Sequence, residues 1–238
     1  MAYNNRIFIQ KATKVQHTSA IMAYRLGTSL IKKINEREQS DDNVVRMHYE
    51  QLPILERYFD LLHKGTKTQP SCKSNCSGCC KYPIWTSAVE SMYISNWIRT
   101  NMDQDTLEQI HENFDTWYEE IGEWAEGYKY GDKIKHDEYT RKNIKCPFLI
   151  NNSCSIYDAR PIVCRTYFSY GNPKNCEREL FPKGTLNLTC AGKNLYEVPM
   201  ANKMRKASNG DKEKENQLFP KVFGKRLLPY WFYKLPAK

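Results

Sequence analysis

Apolar side chains recur along this chain at intervals of three and four residues, the spacing of one face of an α-helix. The clearest stripe lies between residues 107 and 124, where acidic residues occupy the intervening positions. It consists of Leu107, Ile110, Phe114, Trp117, Ile121 and Trp124. This pattern predicts an amphipathic helix of about five turns whose apolar face packs into the core.

Shorter stripes upstream predict further helices. They are Leu26, Leu30, Ile31 and Ile34, then Val44, Val45 and Met47, then Leu55, Phe59 and Leu62. Asp41 and Asp42 can cap the second of these segments. Pro53 should start or kink the third, which should stop at Gly65.

Ser87 and Glu90, three residues apart, have the form of a capping box. Val89, Tyr93, Trp97 and Ile98 then line one face of a short helix. Alternating β-branched runs are few, so any strands should be short. The pattern as a whole predicts a mainly α protein, a helical single domain with an irregular cysteine-rich metal-binding core.

The C-terminal end is rich in aromatic residues: Tyr230, Trp231, Phe232 and Tyr233. Left loose, they would form an exposed apolar patch. These aromatic residues have two interpretations. The tail docks back on the domain, or it contacts a partner or a second copy of the chain. The grooves between helices of a chain this size favour docking.

Composition narrows the class of protein. The chain has 238 residues, of which 26% are charged and 40% are apolar, as in ordinary globular domains. No apolar run is long enough for a transmembrane helix, and MAYNNRIFIQKATK is too polar for a secretory signal. We therefore expect a cytoplasmic location, where nine cysteines are better suited to metal binding or reactivity than to disulfides.

The net charge of +9 raises the question of a nucleic-acid partner. Between residues 101 and 127, however, there are nine acidic residues and no Lys or Arg, whereas basic residues gather between Lys203 and Arg226. Such segregation favours intramolecular pairing and solvated faces over a nucleic-acid surface. A protein partner or an electron donor or acceptor is the better expectation.

Eight of the nine cysteines form two sets. The first is Cys72, Cys76, Cys79 and Cys80, within SCKSNCSGCCKYP, and the second is Cys146, Cys154, Cys164 and Cys176. Short spacers let thiolates converge on one metal or cluster. The polar Lys, Ser, Asn and Gly neighbours argue against cysteines that merely pack, and the odd total of nine argues against an all-disulfide scheme.

The sequence does not fix the number of metal sites. Neighbouring side chains diverge, so one of Cys79 and Cys80 should serve a second site or remain a free thiol. Eight cysteines suit two four-ligand sites, or one cluster with spare thiols. The five histidines, His17, His48, His63, His111 and His136, have no matching spacing and are expected on the surface or in packing roles.

Iron and zinc both accept all-thiolate ligation. Structural zinc sites usually repeat a compact C-x2-4-C knuckle, whereas the second set here has gaps of seven, nine and eleven residues. Cys146-Pro147 is a pair also found in ferredoxins. These features favour an iron–sulfur cluster, with 4Fe-4S preferred and zinc as the alternative.

The full pattern resembles the bacterial YkgJ-type cysteine-cluster family, described as zinc- or iron-chelating and often as iron–sulfur oxidoreductases. The matching residues run from Cys72 to Cys176, and CSIYDARPIVCR, from Cys154 to Arg165, is the most specific segment. Many members have two residues in the first spacer, where this chain has three. Arg160 and Arg165 can neutralise a tetrathiolate site or can pair with Asp158 or another acid, and Pro161 stiffens the turn.

Two enzyme hypotheses accompany this resemblance. The domain is similar to part of the flagellin lysine-N-methylase FliB, which implies methyl transfer to protein lysine, although no glycine-rich strand–loop–helix for the cofactor is visible. CKSNCSGC also matches the spacing of radical S-adenosylmethionine enzymes, but the β/α alternation typical of their barrels is missing.

The sequence thus predicts an N-terminal helical segment over 1–70, a cysteine-cluster domain with inserted helices over 71–180, and a basic segment with an aromatic tail over 181–238. The expected function is redox or cluster-dependent chemistry at an iron–sulfur site. A zinc-stapled module that binds a protein partner is the alternative.

Overall fold

Helices make up most of the described part of the chain. The computed structural model describes residues 41–179, 182, 184–188, 211, 213 and 225–232, with the side chains of 41–48 and 51 excepted. The predicted helix around Leu26–Ile34, the capping role of Asp41 and Asp42, most of the basic segment and Cys190 lie outside this description.

Helix α1, Asp41–Thr66, places Leu52, Leu55, Phe59 and Leu62 in the core. Of the two effects predicted for Pro53, a helix start and a kink, the start is wrong, because this proline lies inside the helix. Pro53 is exposed, so the carbonyl that loses its hydrogen-bond donor can turn to water. The helix therefore continues and keeps its apolar face buried.

Strand β1, Trp85–Ser87, leads directly into α2, Ala88–Asn101. Ser87 caps this helix: its hydroxyl accepts from the N–H of Glu90, whose carboxylate accepts from the N–H of Ser87 at 2.9 Å. The predicted capping box is thereby confirmed.

Helix α3, Gln104–Glu126, is the predicted amphipathic helix. Ile110, Phe114, Trp117 and Ile121 are buried, while the acidic positions face solvent. Helix α4, Lys133–Lys142, follows and ends at Asn143, whose positive φ of 54° closes the turn. The predicted core-facing stripe is confirmed.

The rest of the described chain consists of short elements. They are β2 (Leu149–Ile150), β3 (Ser153–Cys154), a 3₁₀ turn (Tyr157–Ala159), α5 (Ile162–Thr166), β4 (Tyr167–Ser169), α6 (Pro173–Arg178), β5 (Thr185–Asn187), β6 (Lys225–Leu227) and α7 (Leu228–Phe232). Strands pair only two by two and antiparallel, as β1–β6, β2–β3 and β4–β5. The mainly α fold with few short strands is confirmed.

The C-terminal aromatic segment docks on the domain as expected. Leu228 and Phe232 are buried in the same cluster as Phe114 and Phe148, and the Tyr230 hydroxyl donates to the carbonyl of Gly122. Tyr233 lies outside the description. None of the helices in the described ranges has the length and apolar character that a membrane crossing requires.

Candidate metal centre

The first cysteine motif folds as a series of tight turns. The N–H of Cys76 donates to the carbonyl of Lys73 at 3.2 Å, and the N–H of Cys80 donates to that of Ser77 at 2.9 Å. Asn75, the third residue of the first of these turns, adopts a positive φ of 65°. Turns of this kind return the chain every few residues, so the cysteine side chains of the motif gather on one side.

Gly78 allows the motif to pack against α6. A Cβ atom at Gly78 would lie 2.6 Å from the Cβ of Cys176, closer than real side chains approach. The small residue therefore lets the first motif touch the last cysteine of the second set, 98 positions further along the chain.

The second set comes from four separate elements. The N–H of Cys146 donates to the carbonyl of Cys80 at 2.6 Å. Cys154 lies on β3, in a hairpin whose turn residues Asn151 and Asn152 both have positive φ, as a two-residue type I′ turn requires. Cys164 lies on α5 and Cys176 on α6.

These elements enclose a cavity of about 150 Å³ that we call the cysteine cavity. Seven predicted ligands line it: Cys72, Cys76, Cys79, Cys80, Cys146, Cys154 and Cys164. All eight described cysteines are free thiols; Cys72 is exposed, Cys176 is buried and the rest are half-buried. Cys176 lies behind Gly78, outside the lining of this cavity.

Backbone amides point at several of the sulfurs. The N–H of Ser169 donates to the sulfur of Cys72 at 3.1 Å. Hydrogen bonds from the backbone of Phe148 and Ile156 lower the pKa of Cys146 and Cys154, respectively, against the larger effect of burial, which raises both. Amide donors of this kind stabilise thiolate and tune metal centres.

The electrostatic environment differs between thiols. Burial is the main reason that the pKa of Cys146 is raised to about 12, and it also raises that of Cys164. The pKa of Cys79 is lowered to about 7, mainly by a hydrogen bond with Cys80; burial opposes this, and the charge of Arg160 contributes to the lowering. The paired Cys80 thiol, in contrast, has a raised pKa.

The interactions among these thiols sort them into two groups. Apart from Cys79, the thiols that raise the pKa of Cys80, Cys146 and Cys164 are Cys146, Cys154 and Cys164, whereas those that raise the pKa of Cys72 are Cys76 and Cys176. Cys79 acts on members of both groups. The adjacent Cys79 and Cys80 were expected to diverge, yet both line the same cavity.

The two arginines differ in their partners. Arg165 is 6% exposed, and its guanidinium donates to the carboxylate of Glu56 and to the carbonyls of Asp158 and Arg160. The guanidinium of Arg160 lies over the Tyr157 ring, 3.8 Å from its centroid. Its buried Nε has no hydrogen-bond partner in the described structure, which leaves Arg160 able to face an anionic centre.

A comparison with known families also identifies the cysteine motifs. Residues 71–191 match the model of the CxxCxxCC family, described as a candidate zinc- or iron-chelating domain. The chain belongs to the CxxCxxCC family. The match covers about half of the chain and contains both cysteine sets. No curated protein matches the sequence, and no solved structure does so either.

Membership of the CxxCxxCC family establishes a cysteine-cluster, metal-binding protein of the zinc or iron type, and the donor set agrees. Among the described residues that line the cysteine cavity, no His, Asp or Glu accompanies the thiols, and soft thiolate ligands suit zinc and iron–sulfur centres. In the described ranges, no group of three or more His, Cys, Asp or Glu side chains is placed so that it could hold a metal ion. The chemistry of the thiol donors fits zinc or iron, and which cysteines share a metal remains a prediction.

Several residues at the site gave no sequence signal. Ile84, Phe148, Phe168 and Leu228 form the apolar part of the cavity wall, and their positions follow from tertiary packing alone. Tyr157 was detectable in principle, because it lies inside CSIYDARPIVCR. No described histidine lines the cysteine cavity; His63, for example, shares a hydrogen bond of 3.0 Å with the Tyr170 hydroxyl.

Proposed function

We propose that the cysteine cavity holds an iron–sulfur cluster, with 4Fe-4S favoured, and that the chain serves in electron transfer or cluster-dependent chemistry. The supporting observation is one cavity of about 150 Å³ with seven free thiols in its wall. Thiolate sulfurs lie about 2.3 Å from a zinc ion, so one ion fills the space between four of them. A cavity with room for several water molecules is better suited to a centre with more than one metal.

We assign Cys80, Cys146, Cys154 and Cys164 as the ligands of this cluster. The backbone contact between Cys146 and Cys80 and the placement of Cys154 and Cys164 around the same cavity support this set. Cys72, Cys76 and Cys176 would then belong to a second metal or act as reactive thiols, with Cys79 between the two groups. This arrangement keeps all eight predicted cysteines in use.

The remaining cavity residues have supporting roles in this proposal. Arg160 would balance negative charge, and its buried Nε has no hydrogen-bond partner among the described residues. Ile84, Phe168 and Leu228 would keep water from the centre, and the Ser169 amide would hold the sulfur of Cys72. When bound, an iron–sulfur cluster supplies one-electron transfer. The partner would therefore be an electron donor or acceptor.

The deciding experiment is the content of iron, zinc and acid-labile sulfide per chain after anaerobic purification, with the visible spectrum. We expect about four iron and about four sulfide with a broad absorption near about 400 nm. Stoichiometric zinc in a colourless protein would contradict the proposal. It would favour the zinc-stapled module, in which metal supplies folding energy and the chain binds a partner.

A further inference from the structure

A second cavity adjoins the cysteine cavity and shares part of its lining. It is formed by α1, α2 and the 3₁₀ turn, and it has a volume of about 460 Å³. Tyr157, Arg160 and Arg165 line both this space, which we call the outer cleft, and the cysteine cavity. Its volume falls within the range of about 300–1,000 Å³ that is typical of small-molecule sites.

One wall of the outer cleft is apolar and rigid. Leu52 and Tyr93 are 6% and 8% exposed, so both are fixed by the core, and Trp97 lies beside them on α2. Tyr49 extends this wall, with its ring centroid 5.8 Å from that of Tyr93. A preformed wall of this kind can bind an apolar or aromatic body at small entropic cost.

Some charged residues of the cleft are already paired with other protein groups, and others are not. Glu56 and Arg165 are paired with each other, and Arg165 also donates to two backbone carbonyls. The buried Nε of Arg160 has no hydrogen-bond partner among the described residues, and the guanidinium is held over the Tyr157 ring. Arg160 lines both cavities, so its guanidinium is held at the outer cleft as well as beside the thiols.

Asp158 supplies the corresponding negative group. Its backbone oxygen accepts from Arg165, while its carboxylate forms no ion pair with the described residues. Asp158 lines the outer cleft together with Tyr93. The cleft thus offers one cation and one anion beside an apolar wall.

We propose that the outer cleft binds a small zwitterion with an apolar or aromatic body, of the α-amino-acid type. The ligand carboxylate contacts Arg160, the ammonium group contacts Asp158, and the body packs on Leu52, Tyr93 and Trp97. A simple anion would meet the charge of Asp158 and a simple cation that of Arg160, so only a ligand with both charges satisfies the two groups. This site goes beyond metal binding and does not depend on which metal the chain holds.

The test compares three probes by isothermal titration calorimetry on the full, metal-loaded chain. L-phenylalanine carries both charges, 3-phenylpropionate lacks the ammonium group and 2-phenylethylamine lacks the carboxylate. We expect L-phenylalanine to bind about tenfold more tightly than either analogue, as for one charge-assisted contact. Arg160→Gln should reduce L-phenylalanine binding to the level of the amine, and Asp158→Asn to the level of the carboxylate.

Control variants keep the result decisive. Arg141→Gln removes an exposed arginine at the end of α4 and should bind as the wild type does. Iron and zinc are measured on every sample. If Arg160→Gln loses metal, the binding data for Asp158→Asn and Trp97→Ala test the proposal instead, because neither residue lines the cysteine cavity. No binding of L-phenylalanine at about 10 mM, equal binding of the three probes, or wild-type affinity in folded Asp158→Asn overturns the proposal.

Discussion

The carboxylate of Glu90 accepts a hydrogen bond of 3.0 Å from the backbone N–H of Ile162, the first residue of α5. The same carboxylate accepts from the N–H of Ser87 and so caps its own helix. Glu90 is 3% exposed, and α5 carries Cys164. One buried acid therefore fixes the start of α2 relative to a wall of the cysteine cavity.

Replacing this acid should weaken both the fold and the site. We expect Glu90→Ala to lower the free energy of unfolding by about 3 kcal/mol, because buried amide donors lose a charged acceptor. Bound metal per chain should fall as well. Urea denaturation and metal analysis would measure the two effects. The control is Glu119→Ala, on the exposed face of α3, which should change the free energy of unfolding by less than about 0.5 kcal/mol. Wild-type stability and metal content in Glu90→Ala would show that Glu90 does not connect α2 to the cysteine cavity.

Two glycines provide a matched pair of substitutions. Gly78→Ala would place a Cβ 2.6 Å from the Cβ of Cys176, so we expect a loss of about 1–3 kcal/mol from overpacking together with less bound metal. Gly65→Ala, near the end of α1, meets nothing within 4 Å and should stabilise the helix by up to about 1 kcal/mol. Thermal unfolding compares them. Equal effects of the two changes would mean that the Gly78 contact does not matter.

Serine substitutions should separate the two groups of cysteines. Cys80→Ser, Cys146→Ser, Cys154→Ser and Cys164→Ser should each reduce cluster iron and sulfide, since each removes a proposed ligand. Cys72→Ser and Cys176→Ser should leave that cluster in place. Iron, zinc and sulfide per chain are the measurement. Full metal content in both Cys146→Ser and Cys154→Ser would show that the proposed ligand set is wrong.

A buried hydrogen bond away from the cysteine cavity tests stability alone. The indole N–H of Trp117 donates to the Tyr139 hydroxyl at 2.9 Å, and Tyr139 is 3% exposed. Tyr139→Phe leaves that donor unpaired, so we expect a loss of about 1–3 kcal/mol with unchanged metal content. Tyr130→Phe, at a residue that is 53% exposed, serves as the control. Metal loss in Tyr139→Phe would indicate a direct role at the site.

Acid should destabilise the protein partly through His63. Burial lowers its pKa from 6.5, and the opposing charge of Asp60 offsets only part of this. The unfolded chain therefore binds more protons near and below pH 6.5, so stability falls as the pH drops through that range. Between about pH 7.5 and about pH 5.5, melting temperature should fall less in His63→Gln than in the wild type. A larger or equal fall in the variant would contradict this assignment.

The helices could be predicted because their signals are local. The Ser87–Glu90 capping box and the stripe from Leu107 to Trp124 act within a few turns of the same segment, and both appear as expected. The helix start predicted at Pro53 was wrong because the effect of a proline depends on which side of the helix it occupies. On the exposed side of α1, burial of Leu52 and Leu55 outweighs one missing backbone hydrogen bond.

The cysteine cavity was predictable in composition but not in arrangement. The spacing predicted eight cysteines as candidate metal ligands. Seven of them line the cavity, and Cys176 packs behind Gly78. That division depends on contacts such as Cys146 with Cys80, which join segments far apart in sequence. The outer cleft gave no sequence signal, because its walls come from α1, α2 and the 3₁₀ turn.

The pairing of β1 with β6 has a consequence for the order of biosynthesis. Trp85 lies opposite Leu227, and the next residue, Leu228, completes the wall of the cysteine cavity. A nascent chain that has already emerged with all eight of these cysteines still lacks β6 and α7. Metal captured at that moment enters an unfinished, water-accessible site, so the maturation of the centre must wait for translation to pass residue 232.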